Sequence, residues 1–104
     1  MAQDDASKKA QKELAAAKGL YEKTKVAFTK APKDAKKKKS YVDATVTYGN
    51  ITMLSPVLGP KDKYPVALKL YREALKVDPK NPTALANKKT IEDIYTQMGR
   101  PIPK

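Results

Sequence analysis

The sequence predicts an all-α fold of four helices. Three observations carry that prediction. Apolar residues recur at steps of three and four through most of the chain. Proline and glycine fall between those stretches, at Pro32, Pro56 to Pro60, Pro79 to Pro82 and Gly99. Residues that start or stop helices stand at the ends: Asp34 before the second stretch, Pro65 opening the third, Gly99 after the fourth.

The first helix is expected from Ser7 to Thr29, after an N-terminal tail over residues 1–6. Ala10, Leu14, Ala17, Tyr21, Thr24 and Phe28 form one narrow stripe at helical period. Ser7 or Asp5 can cap it, and Pro32 ends it. At roughly 22 residues it would be about 33 Å long.

The second helix is expected from about Asp34 to Ser55. Asp34 suits a helix N-terminus by hydrogen bonding and by charge. "SYVDATVTYGNITML" is rich in β-branched residues, and Val42, Ala44, Val46 and Tyr48 alternate as a strand would. Tyr41, Ala44, Thr45, Tyr48, Ile51 and Thr52 nevertheless follow helical steps. "SPVLGPKDKYP" then reads as a long loop.

The third helix is expected to begin at Pro65, a residue favoured in the first helical position. Its stripe is Ala67, Leu70, Tyr71, Ala74 and Leu75. "DPKNP" stops it, because the residue before a proline avoids the helical region. The fourth runs from Pro82 or Thr83 to Met98, with Ala84, Ile91, Tyr95 and Met98 as its stripe and Leu85 and Ile94 alongside. Lys88 and Lys89 interrupt that stripe. Gly99 suits the position after a helix end. Residues 99–104 read as an extended tail on a single domain spanning 1–104.

Composition narrows the chemistry. The chain of 104 residues has no His and no Cys. Imidazole acid–base catalysis, thiol nucleophiles, thiolate metal sites and disulfides are thereby excluded. Asp43, Asp62, Asp78, Glu92 and Asp93 are scattered, and Gly59-Pro60-Lys61 lacks the spacing of a phosphate loop. The expectation is a non-enzymatic protein without metal or cofactor. Asn50-Ile51-Thr52 matches the glycosylation sequon.

The formal net charge is +11. Arg72 and Arg100 are the two arginines, so lysine supplies nearly all of it. Lysine is a hydrated point charge rather than a bidentate fork. The dense stretch is Lys30, Lys33, Lys36, Lys37, Lys38 and Lys39. It reads either as a solubilising coat or as a surface for polyanions. No apolar run approaches the roughly 20 residues of a membrane span. The opening "MAQDDASKK" has the look of an initiator Met before a processed N-terminus, which would fit a secreted or periplasmic chain. The compartment is otherwise open.

The stretch Tyr64, Pro65, Ala67, Leu68, Tyr71, Ala74, Leu75, Asp78 and Pro79 resembles the second half of a tetratricopeptide repeat. That family pairs two antiparallel helices in about 34 residues, with W-x2-L-G-x2-Y, then A-x3-F, then P. Tyr41, Ala44, Thr45 and Tyr48 stand at the spacing of the first half, with Thr45 in place of the glycine. Tyr48 to Ala67 is 19 residues, about ten more than the family spacing. A new unit begins after Pro79, where Lys88 and Lys89 replace the Leu-Gly pair as in a terminal cap helix. Ala17 and Tyr21 echo Ala67 and Tyr71. The resemblance is specific over Tyr64–Pro79 and looser over Tyr41–Met98.

It implies a helical solenoid of one complete repeat with flanking half-repeats, packed through Tyr41, Ala44, Tyr48, Tyr64, Ala67, Tyr71, Ala74, Leu75 and Pro79. It also implies a scaffold that binds a partner protein or peptide. In the family the first helices line a groove for extended peptides. The matching positions are Lys39, Val42, Asp43, Val46, Asn50, Thr83, Ala86, Asn87 and Thr90. Asn87 stands where some members hold a peptide backbone or a terminal carboxylate, and Lys39 would be its basic companion. An acidic partner is expected from the charge.

Two alternatives follow from other features. About three such repeats are needed for stability, so a short array would stack copies of itself through uncovered residues. Tyr21, Phe28, Ile91 and Tyr95 are the candidates. Nucleic-acid binding through Lys30–Lys39 is the third reading, though the run lacks arginine and only Tyr41 is near to stack.

Overall fold

The computed structural model describes residues 2–104, and side chains from Asp5 onward. Four helices follow in order: α1 Ala2–Lys30, α2 Ala35–Met53, α3 Pro60–Val77 and α4 Pro82–Gln97. No strand occurs among the described residues. The molecule measures 44 × 37 × 19 Å. The shortest dimension is two helix diameters of roughly 10 Å, so the helices form two layers.

Chain ends and loops are set by local chemistry. Asp34 caps α2 by accepting the Lys37 amide at 3.0 Å. Asn81 caps α4 by accepting the Ala84 amide at 3.0 Å. At the far end of α4 the Gly99 and Arg100 amides donate to the Thr96 and Tyr95 carbonyls. This is a Schellman closure, and Gly99 takes the left-handed conformation it requires, at φ 67°.

Two expected boundaries move. α1 begins at Ala2, so residues 2–6 are helical rather than a tail. At 29 residues the helix is about 44 Å long, which spans the molecule. α3 begins at Pro60, five residues before the expected Pro65. Gly59 is extended, and its carbonyl accepts the Asp62 and Lys63 amides. Pro60 therefore takes the first helical position. Pro65 lies within the helix, where it frees the carbonyl four residues back. That carbonyl belongs to exposed Lys61, which water can serve. The loop shrinks to residues 54–59, and most of the extra length lies in longer helices.

α2 is the central helix, packed on α1 along one side and on α3 along the other. This explains its ambiguous pattern. Tyr41, Ala44, Thr45 and Thr52 are buried, but so are Val42, Val46 and Gly49. A helix covered on two sides buries nearly consecutive residues, and the strand-like alternation of Val42, Ala44 and Val46 falls inside that wide face. The core holds Val42, Val46, Ala67, Leu68, Tyr71, Ala74, Ala84, Ile91 and Tyr95. α3 packs on α2 and α4, and α4 also touches α2.

Candidate interaction surfaces

The α2–α3 seam is built around Tyr71, which is fully buried. Its ring lies against Gly49, where an added Cβ would stand 2.9 Å from Cε1 and 3.2 Å from Cζ. The close approach of the two helices therefore falls at Gly49, one turn beyond Thr45. Thr45 carries a side chain and is buried, with its hydroxyl donated to the Tyr41 carbonyl at 2.7 Å. The Tyr71 hydroxyl donates to Asn50 Oδ1 at 2.7 Å. Asn87 Nδ2 donates to the same Asn50 oxygen at 2.9 Å and to Tyr71 Oη at 3.2 Å. One polar triangle thus joins α2, α3 and α4. Burial pushes the Tyr71 phenol up to about 12.

The α1–α2 seam is aromatic. Phe28 stacks on Tyr41 with centroids 5.2 Å apart, and Tyr21 sits 5.4 Å from Tyr48. The hydroxyls of Tyr21 and Tyr41 both donate to the Glu73 carboxylate of α3, that of Tyr21 at 2.6 Å. Lys25 Nζ lies 3.8 Å from the same carboxylate. Burial first, and the carboxylate second, hold both phenols well above the ordinary tyrosine range. Nothing in the spacing of the sequence marks Glu73 as this hub. It lies on α3, 52 residues from Tyr21.

The nine expected groove residues divide. Val42 and Val46 belong to the core. Lys39, Asp43, Thr83, Ala86 and Thr90 are exposed. Asn50 and Asn87 are half-buried, and the structure brings them into direct contact. A recess of about 410 Å³ at the N-terminal end of α2 is lined by Ala35, Lys38, Lys39, Val42, Asp43 and Asp78, with Asn81. Lys39 does not face Asn87's amide as a free cation, because it pairs with Asp43 at 2.7 Å. Along α4, Lys88 pairs with Glu92 at 2.9 Å and Lys89 with Asp93 at 3.1 Å. Lys88 is half-buried and Lys89 exposed, Leu85 is exposed as well, and Met98, expected in the stripe, is instead exposed just past the end of α4.

The expected repeat-packing set is largely internal. Tyr41, Ala44, Ala67, Tyr71 and Ala74 are buried, and Tyr48, Tyr64 and Leu75 are half-buried. Pro79 is exposed in the α3–α4 turn. The basic run Lys30, Lys33 and Lys36 to Lys39 is exposed throughout. Of the residues expected to be uncovered, Ile91 and Tyr95 are buried and Tyr21 and Phe28 are half-buried. Ile91 is fully buried, Tyr95 is 9 % exposed, and Tyr21 and Phe28 lie under the aromatic seam.

A larger cleft was not anticipated. It measures about 580 Å³ and is lined by Pro65, Lys69, Arg72, Glu73 and Lys76 of α3, with Pro103 and Lys104 of the tail. The extended tail thus forms a wall against α3. No known family model, no curated protein and no solved structure matches this chain. No helix among the described residues is long and apolar enough to cross a membrane.

Proposed function

We propose that the chain is a non-enzymatic, TPR-like interaction module that binds a partner protein on the face shared by α2 and α4. One observation carries the reading. α2 and α4 meet at Asn50 and Asn87, and α3 packs on both. This is the arrangement in which first helices of successive repeats share a binding face. Asp43, Thr83 and Thr90 stand exposed on these two helices, where a peptide could meet them. The charges here are internally paired, so hydrogen bonding and shape would dominate recognition, with net charge secondary.

The test is affinity capture from the native source at moderate salt, with wild-type chain and a variant carrying Asp43→Arg and Thr90→Arg. A partner retained by the wild type and lost by the variant supports the reading. Failure of any partner to survive moderate salt, or equal retention by both chains, sinks it. For the self-assembling alternative, Ile91 and Tyr95 are buried and Tyr21 and Phe28 half-buried, while Leu20, Val26 and Leu54 are exposed.

A further inference from the structure

The geometry points to a second docking surface: the cleft between α3 and the C-terminal tail, shaped and charged for an acidic polypeptide segment. This does not rest on the α2–α4 reading.

Lys69, Arg72 and Lys76 follow one another along α3, and Lys104 faces them from the tail. Among the described residues, none of these four side chains has a carboxylate within ion-pairing distance. On α2 and α4, Lys39, Lys88 and Lys89 are each paired, while Lys36 to Lys38 at the start of α2 have no such partner among the described residues. The acid lining the cleft is Glu73. Its carboxylate is taken by the Tyr21 and Tyr41 hydroxyls and by Lys25. The row therefore presents uncompensated positive charge, including one of the two arginines of the chain.

Its length selects the ligand. Seven residues from Lys69 to Lys76 cover about 10 Å of helix axis, too far for one small anion to bridge. An extended peptide advances about 3.3 Å per residue, so three or four acidic residues would match the row. Arg72 can receive a carboxylate in bidentate fashion. No aromatic side chain lines the cleft, so unpaired bases would find nothing to stack on. The tail wall makes the site a trough, which a flat lipid surface does not enter. A second copy is a poor occupant, since the chain's own adjacent acids come only in pairs, Asp4-Asp5 and Glu92-Asp93.

The experiment titrates the full, isotope-labelled chain with an unstructured octa-glutamate peptide and follows amide shifts. Two triple variants remove equal charge: Lys69→Gln with Arg72→Gln and Lys76→Gln, and Lys36→Gln with Lys37→Gln and Lys38→Gln. The expected result is saturable binding, with shifts concentrated at residues 65–76 and 101–104. Affinity should fall at least about tenfold in the first variant and less than about twofold in the second. Equal losses in both variants, shifts centred on Lys30 to Lys39, or no saturation would overturn the proposal. So would tighter binding of a single-stranded oligonucleotide in the same cleft. The wild-type shift map decides the matter even where a variant fails to fold.

Discussion

The two seams of α2 are built from different chemistry. Towards α3 it contributes Val42 and Val46 to the shared core, and one ring, Tyr71, fills the space over Gly49. Against α1 it presents rings to rings, and a carboxylate from a third helix ties them together. The first seam packs by close approach and shape. The second covers a side of α2 that packing on α3 alone leaves open. α1 covers that side of α2, and Glu73 ties it to the α2–α3 hairpin.

Alkaline pH should produce the largest effect and separate the seams. A tyrosine whose pKa is raised by folding ionises first in the unfolded chain, so stability is full below the ordinary value and falls as pH rises. The window opens near the ordinary tyrosine value of 10.0 for all three residues and closes at about 12 for Tyr71. For Tyr21 and Tyr41 it closes higher still. Denaturation midpoints should fall steeply above about pH 10, and Tyr71 should ionise before the other two in a phenolate titration. Equal ionisation of all tyrosines with no loss of stability would erase the distinction.

Tyr71→Ala should cost about 3–5 kcal/mol, the range for removing a buried ring. It also leaves Asn50 and Asn87 without their hydroxyl partner. A urea melt checks it, and a loss below about 1 kcal/mol would place the core elsewhere. Glu73→Ala should cost about 2 kcal/mol by stripping two half-buried hydroxyls of their acceptor. Its signature is local. Amide exchange should quicken in α1 while α3 and α4 stay protected. Uniform quickening would mean that the seams are not separable.

Gly49→Ala sets two effects against each other. Alanine favours a helix over glycine by about 1 kcal/mol, but overpacking costs about 1–3 kcal/mol. The Tyr71 ring is held at its hydroxyl by Asn50 and Asn87, so it cannot easily swing away. A net loss of about 1 kcal/mol is expected, and a gain in stability would show that the seam is loose. The smallest effect should be Thr52→Val. The Thr52 hydroxyl is buried without a hydrogen-bond partner among the described residues. The isosteric change should add up to about 1 kcal/mol.

Much of this fold was legible in the sequence. The α1 stripe from Ala10 to Phe28 is the face that packs, because a single-sided helix writes its burial as a clean period. Caps at Asp34 and Gly99 were legible because they depend on neighbours in the chain. The start of α3 misled because two prolines suit a first position, and Gly59 with exposed Lys61 decides for Pro60. What escaped was long-range. Glu73 gains its role from tyrosines on two other helices, and Gly49 from a ring 22 positions later. The α3–tail cleft depends on where the tail returns, which no local pattern records. Of the expected groove, Asn50 and Asn87 do meet, while Val42 and Val46 serve the core.

The central proposal is that packing of α1 on α2 lets a single chain stand alone, so that its partners would be other proteins. Light scattering after size exclusion, over a range of concentration and salt, tests it most directly. The account predicts a monomer throughout. A mass that grows with concentration, or a filament, would mean that the missing repeats come from neighbouring copies and that the seam with α1 does not suffice.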